Sequence, residues 1–429
     1  MDVEYLNAST NSTYDTLSNN NYNLSLYSVS ALMILITFTL LFSTISLLSE
    51  NLFNNSHKQI IVKSLQNFID YYRTLYYFLN QGSLRDCPYF KDNIQAKCHI
   101  YSLTLIFTIW DRPHYRNGTF QQDMINNLCD VAIPGTGIPL HIFAYSKILT
   151  FWLITIGYPI IAFIAAVYAS KNINTFCEAF ITQLIEPQDW FSFWRLNCRL
   201  ATYHSGLTNY EKDYALEDKW TFLQEAEKQS VAVTPYMKFD GIVCKHRNME
   251  GGLGFHSFNN ASNGGDWIIQ EKLGNAKFLQ DLLPTDAPLS TFRIISASRG
   301  GLQGLTSDDK DVTMDDITAL SCVWRGGRSK AKTDHTSILF NVNPKTGEMK
   351  KGTTNTHWYQ RGLDKIFNTP WLSYHDVTHH PDNEVQITGK VVPNMKKMMD
   401  FVRDAHLKLI PHVPLCGWDV ALTEKYGMV

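Results

Sequence analysis

Lys245 closes a strand-like run, Gly241-Ile-Val-Cys-Lys-His-Arg, and the glycine-rich stretch Gly251-Gly252-Leu253-Gly254 follows shortly after it. Glycines let backbone N–H groups approach phosphate oxygens, and a lysine at a strand end supplies a point charge, so the pairing suits a phosphate site. It is not a P-loop, because no Gly-Lys-Ser/Thr follows the glycines. Such glycines also serve simply to turn a hairpin, and Lys245 also reads as an edge-strand charge. Arg293 lies in a second apolar run, Thr291-Phe-Arg-Ile-Ile-Ser, where it can meet an anion or a structural carboxylate. Arg325 and Arg328 flank Gly326-Gly327 and form a candidate anion clamp, since guanidinium forks match phosphate and carboxylate geometry. A solvated turn is the other reading. Asp419 stands between Trp418 and Val420 on an apolar strand, a setting that requires a partner or a metal. A rival chemistry gathers in His375, His379, His380 and Asp382, residue types that ligate transition metals. Pro381 argues for a loop there, and no glutamate takes the metalloprotease general-base position, so a polar loop is the preferred reading.

The elements that must position these groups lie in residues 171–429. Asp218–Lys228 reads as a helix with Trp220, Leu223 and Ala226 on one face. Strands are expected at 241–247, 267–273, 291–296, 319–324 and 337–342, with Pro344-Lys-Thr-Gly-Glu as the turn after the last. Met395–Leu409 reads as a helix that ends before Pro411. Strands in series with intervening helices give an α+β or α/β class. Cys244 and Cys416, each on a strand beside one of the charged groups, read as small buried residues.

Taken in order, the lysine strand, the glycine-rich loop, the run Ile268–Leu273, the Arg293 strand and Gly417-Trp-Asp-Val resemble an ATP-grasp domain. In detail they are similar to the sugar-transfer-associated branch related to α-L-glutamate ligases. The resemblance spans roughly Asp189 to the end and rests on DWFSFWRLNCRLATYHS, EDKWTFL, CKHRNMEGGLGFHSF, STFRIISAS, WRGGRSKAKTDHTSILFNVN, GTTNTHW and CGWDVALT. It implies an α+β ATP-grasp fold, two α+β lobes clasping ATP. Lys245 is then expected on the α/β-phosphates, beneath the loop of Gly251, Gly252 and Gly254. Gln270, Glu271, Lys272 and Leu273 would form the hinge, with backbone groups near Lys272 and Leu273 reading the adenine. Arg293 would steady the transferred phosphoryl group or the acceptor, with Arg325 and Arg328 as further cofactor-binding candidates. Asp419 would hold magnesium, which bridges the phosphates. Enzymes of this family activate a carboxylate as an acyl phosphate, which an amine or thiol then attacks. The resemblance therefore implies an ATP-dependent ligase acting on a small-molecule or sugar-linked carboxylate. The chain departs from the pattern after Asp419, where the Glu-x-Asn expected to complete the magnesium site is absent from the residues up to Val429. A truncated ligase and a catalytically inactive nucleotide-binding or scaffold protein both stay open, and the intact upstream motifs favour the first.

Two apolar runs precede this region. No charged residue lies between Asp15 and Glu50, a window containing the apolar and hydroxylic run Tyr27–Leu48, and Ile148–Ser170 is likewise uncharged. A hydrocarbon core about 30 Å thick needs about 20 apolar residues in a helix. Two transmembrane helices, 27–48 and 147–170, are therefore expected ahead of the ATP-grasp fold, with buried core helices as the alternative. The organisation that follows is an Asn/Ser-rich tail (1–26), a membrane helix, an inter-membrane loop domain (49–146), a second membrane helix and the ATP-grasp domain (171–429). Membrane lipid is then a partner. ATP would place the last domain in the cytosol, whereas the basic residues after the first run point the other way. Sequons at Asn11, Asn23, Asn54 and Asn117 fall on both sides of that run and do not choose. Cys87 and Cys98 are candidates for a disulfide if their loop is lumenal. A net charge of −2 argues against bulk nucleic-acid binding, which calls for a basic surface.

Overall fold

The computed structural model describes residues 55–108, 145–186, 218–237, 241–245, 255–302, 312–354 and 377–429, apart from isolated positions within them and with a few outside. Its amino-terminal part is helical. α1 (Asn55–Leu79) and α2 (Ile94–Thr108) pack with a continuous helical run in which α3 (Lys147–Trp152) passes through a π-helical turn, Leu153–Gly157, into α4 (Tyr158–Ala169). α5 (Ile173–Ile185) then returns against α4, started by a capping box in which Asn172 and Thr175 satisfy each other's backbone N–H groups.

This arrangement corrects the membrane expectation. Among the described residues no helix is long and apolar enough to cross a membrane, so the expected multi-pass membrane placement is not met. The run 147–170 is apolar because one of its faces enters a protein core: Phe151, Ile154, Tyr158, Ala162 and Ala166 are buried. It is also interrupted. A π turn widens the helical ladder, and Tyr71 and Tyr72 of α1 donate their hydroxyls to the Ile154 and Thr155 carbonyls inside it, at 3.0 and 2.9 Å. Burial pushes both phenols well above their ordinary range, which keeps them as neutral donors. The other expected span, 27–48, lies outside the described residues. Cys87 and Cys98 are both buried free thiols rather than a disulfide.

The carboxy-terminal part is α+β. α6 (Lys219–Lys228) starts at Asp218, whose carboxylate accepts from the Thr221 N–H, and buries Leu223 and Ala226. β1 (Gly241–Lys245) and β2 (Phe255–Asn259) form an antiparallel hairpin. The remaining strands are β3 (Thr291–Ser298), β4 (Ile317–Gly326), β5 (Ile338–Val342), β6 (Met349–Thr354), β7 (Leu415–Thr423) and β8 (Gly427–Met428). They build one antiparallel sheet in the order β6-β5-β4-β3-β7-β8. Between β6 and β7 lies α7 (Met395–Leu409), whose Met395, Met398, Met399, Val402 and Leu409 recur at helical spacing and are buried.

Side chains alternate along β3, and the two faces have different fates. Phe292 and Ile294 pack with Trp324, Phe340, Val420 and the methionines of α7. On the opposite face Ile295 and Ala297, with Leu320 and Leu415, join the core of the helical bundle. A bulge between Ile295 and Ser296 leaves Leu320 as the additional residue on β4, and that residue fills the bundle core. The bundle covers only one end of this face.

A buried polar relay fixes β7 to α7. Trp418 Nε1 donates to Ser296 Oγ at 2.8 Å, and Ser296 Oγ lies 2.7 Å from His406 Nδ1, whose Nε2 lies 3.0 Å from the Val413 carbonyl. Every group is used if Nε2 carries the imidazole proton and the serine hydroxyl donates to Nδ1. Burial pushes the His406 imidazole down to about 4. A depressed value means that the contribution to stability is complete above the unfolded value of about 6.5 and is lost as pH falls through 4, on the order of 3 kcal/mol in all. His99, pushed down to about 3 by burial, adds to the same slope. Urea unfolding at pH 7, 5.5 and 4 is expected to show stability falling with pH. His406→Leu should lower stability at pH 7 and flatten the slope without abolishing it; an unchanged slope would remove His406 from this role.

Candidate functional site

The end of this sheet face beyond the helical bundle carries the charge. Asn341, Val323, Arg293 and Asp419 are directly opposed in one row across β5, β4, β3 and β7. Arg293 Nη2 donates to Asp419 Oδ2 at 3.0 Å while its Nε lies 2.8 Å from Oδ1. Arg325, two residues beyond Val323 on β4, places Nη1 3.3 Å from Asp334 Oδ2 and 3.5 Å from Asp419 Oδ1. Thr291 Oγ1 donates to the same Asp334 oxygen at 2.6 Å. Three of the four charged side chains are less than one-fifth exposed, whereas Asp419 is 43% exposed and forms the open mouth of the cluster.

Gly417 makes room for this geometry. A Cβ there would stand 2.9 Å from Arg293 Nη1, so the guanidinium lies across the strand where a side chain would otherwise be. Nη1 also donates to the Gly417 carbonyl at 3.4 Å.

The segment expected as a hinge strand is an extended connector. It is held by the Tyr236–Gln270 bridge, with Met237 N–H donating to the Ile269 carbonyl and Glu271 N–H to the Pro235 carbonyl, by the Asn260–Trp267 bridge, and further on by the Asn275–Thr423 bridge. It therefore joins the 235–237 segment, just before the β1–β2 hairpin, to the end of β7. Leu273 is buried and Lys272 is exposed. Glu271 binds the β7–β8 turn through Lys425 Nζ at 2.8 Å and the Tyr426 hydroxyl, and these two bonds hold its carboxyl below the usual range. Its side chain thus serves as a tether.

Lys245 is exposed at the end of β1, opposite Phe255. Gly251, Gly252 and Gly254 lie outside the described residues, as does His375. Cys244, expected to be buried, is exposed on the hairpin, and Cys416 is half-buried. Arg325 and Arg328 do not form one clamp. Arg328 turns to Asp382, donating from Nε at 2.8 Å and Nη2 at 2.7 Å. Asp382 is held down to about 2, chiefly by that arginine. His380 is buried, with Nε2 3.0 Å from the Gly327 carbonyl, so this histidine–aspartate group locks a loop to the sheet.

Magnesium does not fit the described donors. A hard divalent ion takes about six oxygens, yet Asp419 and Asp334 are both committed to arginines. Among the described residues no group of three or more His, Cys, Asp and Glu side chains is placed to hold a metal. The cluster suits an anion instead: two guanidinium groups face one exposed carboxylate that an incoming phosphate or carboxylate can replace.

Asp334 and Gly417 complete the site and were not singled out from the sequence. Asp334 sits in a polar stretch, Ser329-Lys-Ala-Lys-Thr-Asp-His, with no periodicity to mark it, and Gly417 shows its role only through the register with Arg293. No family model, no curated protein and no solved structure matches the chain.

Removing Asp419 should take away the carboxylate that Arg293 and Arg325 share, leaving Arg325 with Asp334. Asp419→Ala is expected to lose about 1–2 kcal/mol in urea unfolding at low salt. Inorganic phosphate should restore more of the melting temperature in this variant than it adds to the parent. Equal phosphate responses would show that the arginines do not form an anion site.

Proposed function

We propose that residues 189–429 form a nucleotide-binding unit of the ATP-grasp type, in which the anionic end of ATP meets Arg293 and Arg325. The single observation carrying this reading is the pair of guanidinium groups, Arg293 and Arg325, that share the exposed carboxylate of Asp419. Several arrangements support it. The connector Gln270–Leu273 joins the lysine-bearing hairpin region to β7, in the order the sequence resemblance implies. Backbone groups at Lys272 and Leu273 are then the adenine-reading positions, Lys245 with the glycine loop is the phosphate cover, and Arg293 exchanges Asp419 for a phosphoryl oxygen. Exchange of one anion for another keeps the buried guanidinium charge compensated throughout.

Ligation of a carboxylate to an amine through an acyl phosphate is the second reading, favoured by the same arginine pair, which suits a transferring phosphoryl group. It needs magnesium to be carried by donors other than Asp419 and Asp334 as they stand. Binding is the function that the described geometry supports better.

Thermal unfolding of the full chain with ATP tests the proposal. A ligand at 100 times its Kd adds about 2.7 kcal/mol of stability. The shift is expected with ATP in EDTA as well as with magnesium, to be lost in Lys245→Ala, and to survive in Lys345→Ala. No shift under either condition would overturn the nucleotide reading. A shift seen only with magnesium would overturn the metal-independent form of it and favour the ligase.

A further inference from the structure

Where the helical bundle meets the sheet, a recess of about 770 Å³ is left beside β4 and β5. Ile295 and Ala297 of β3 enter the bundle core, and Ser321 and Thr318 of β4 stand directly opposite them. Both hydroxyl side chains therefore lie on the bundle face of the sheet. Asn341 of β5 shares that face, because it opposes Val323, two residues on from Ser321. All three line the recess. Gln95 of α2 and Glu186, just past the end of α5, line it from the bundle side, and Lys345 and Lys350 line it beyond β5. Arg293 and Arg325 take no part in it.

Ser321 is only 5% exposed, yet its hydroxyl has no hydrogen-bond partner among the described residues. A buried hydroxyl is costly when left unpaired. Ser296 and Ser298 on the adjacent strand have theirs, in His406 and the Pro411 carbonyl. Ser321 opens onto the recess instead. Thr318 and the Asn341 carboxamide likewise have no side-chain hydrogen bond among the described residues. β4 and β5 are each paired on both sides, so these groups sit on rigid elements. Glu186 is held as well, since Asn93 Nδ2 donates to its Oε1, and a carboxylate can accept several further bonds.

Charge around the recess balances. Asp400 and Arg403 pair with each other on α7, while Glu186 and Asp315 offset Lys345 and Lys350. An ion of either sign is therefore not favoured over a neutral molecule. Among the described residues no aromatic ring lines the recess, so a flat apolar ligand finds nothing to stack on. Hydroxyls and a carboxamide side by side present donors and acceptors together, which suits a ligand hydroxyl that both donates and accepts. The volume is that of a small-molecule site. We infer that this recess binds a neutral polyhydroxylated molecule of the size of a di- or trisaccharide. Ser321, Thr318 and Asn341 bond its hydroxyls from the sheet, and Glu186 accepts from the bundle side. Occupancy of this recess does not depend on the nucleotide reading of the arginine cluster.

Saturation-transfer NMR on the full chain with maltotriose, cellobiose and myo-inositol tests this, with glucose 6-phosphate alongside. Transfer to at least one of the three neutral probes is expected. Titration should then show about tenfold weaker binding in Asn341→Leu and in Thr318→Val, as loss of one hydrogen bond requires. Both changes are close to isosteric and leave the buried Ser321 in place, so the result does not hang on whether Ser321→Leu folds. Transfer to none of the neutral probes would overturn the inference. So would unchanged affinity in both variants. Transfer confined to glucose 6-phosphate would make the recess an anion site at Lys345 and Lys350 and overturn it equally.

Discussion

β3 is paired on both sides, so its backbone has no freedom left and its alternating side chains must satisfy two surroundings at once. Everything else in the sheet unit follows from that constraint. Phe292 and Ile294 demand an apolar cover, which α7 provides. The opposite face has to reconcile Arg293 with Ile295 and Ala297, a charge beside a core. The fold resolves this by letting the helical bundle end at Ile295 and by pairing Arg293 with Asp419. A partly buried guanidinium is tolerable only with a fixed counter-charge, and the register puts Asp419 directly opposite it.

The arginine–aspartate cluster also explains why a sequence reading aimed at a metal meets a set of ion pairs instead. An aspartate on an apolar strand needs compensation, and the one-dimensional chain does not reveal whether a cation or a guanidinium provides it. Arg293 and Asp419 are 126 residues apart, and only strand order brings them into contact. The occupied carboxylates are the geometric reason for doubting magnesium at this position.

Local signals were legible where one element sufficed. The helices Asp218–Lys228 and Met395–Leu409 and the strands around Arg293 and Arg325 all stand as read, because helical and strand periodicity register burial of a single face. The misreadings share a cause. The run 147–170 is apolar on both faces, and hydropathy alone does not tell a bilayer from a protein core. The 267–273 run has the β-branched and aromatic composition of a strand but spends its backbone bonds on two separate partners. Arg325 and Arg328 are near neighbours in sequence yet serve different carboxylates, Asp419 with Asp334 and Asp382, because Gly326 ends the strand between them.

The Glu271 tether gives the sheet unit the topology of a ring. It joins two points 154 residues apart in the chain, beside the first and last strands. The entropy of closing a flexible loop grows only with the logarithm of its length, so so wide a closure costs little more than a short one. A chain cut at one exposed loop inside that ring would still be held at both ends, by Lys425 and Tyr426 on one side and by the continuous backbone on the other. The two ends of the unit therefore behave as neighbours, and the order in which its strands follow one another matters less to its integrity than the fact that the circuit is closed.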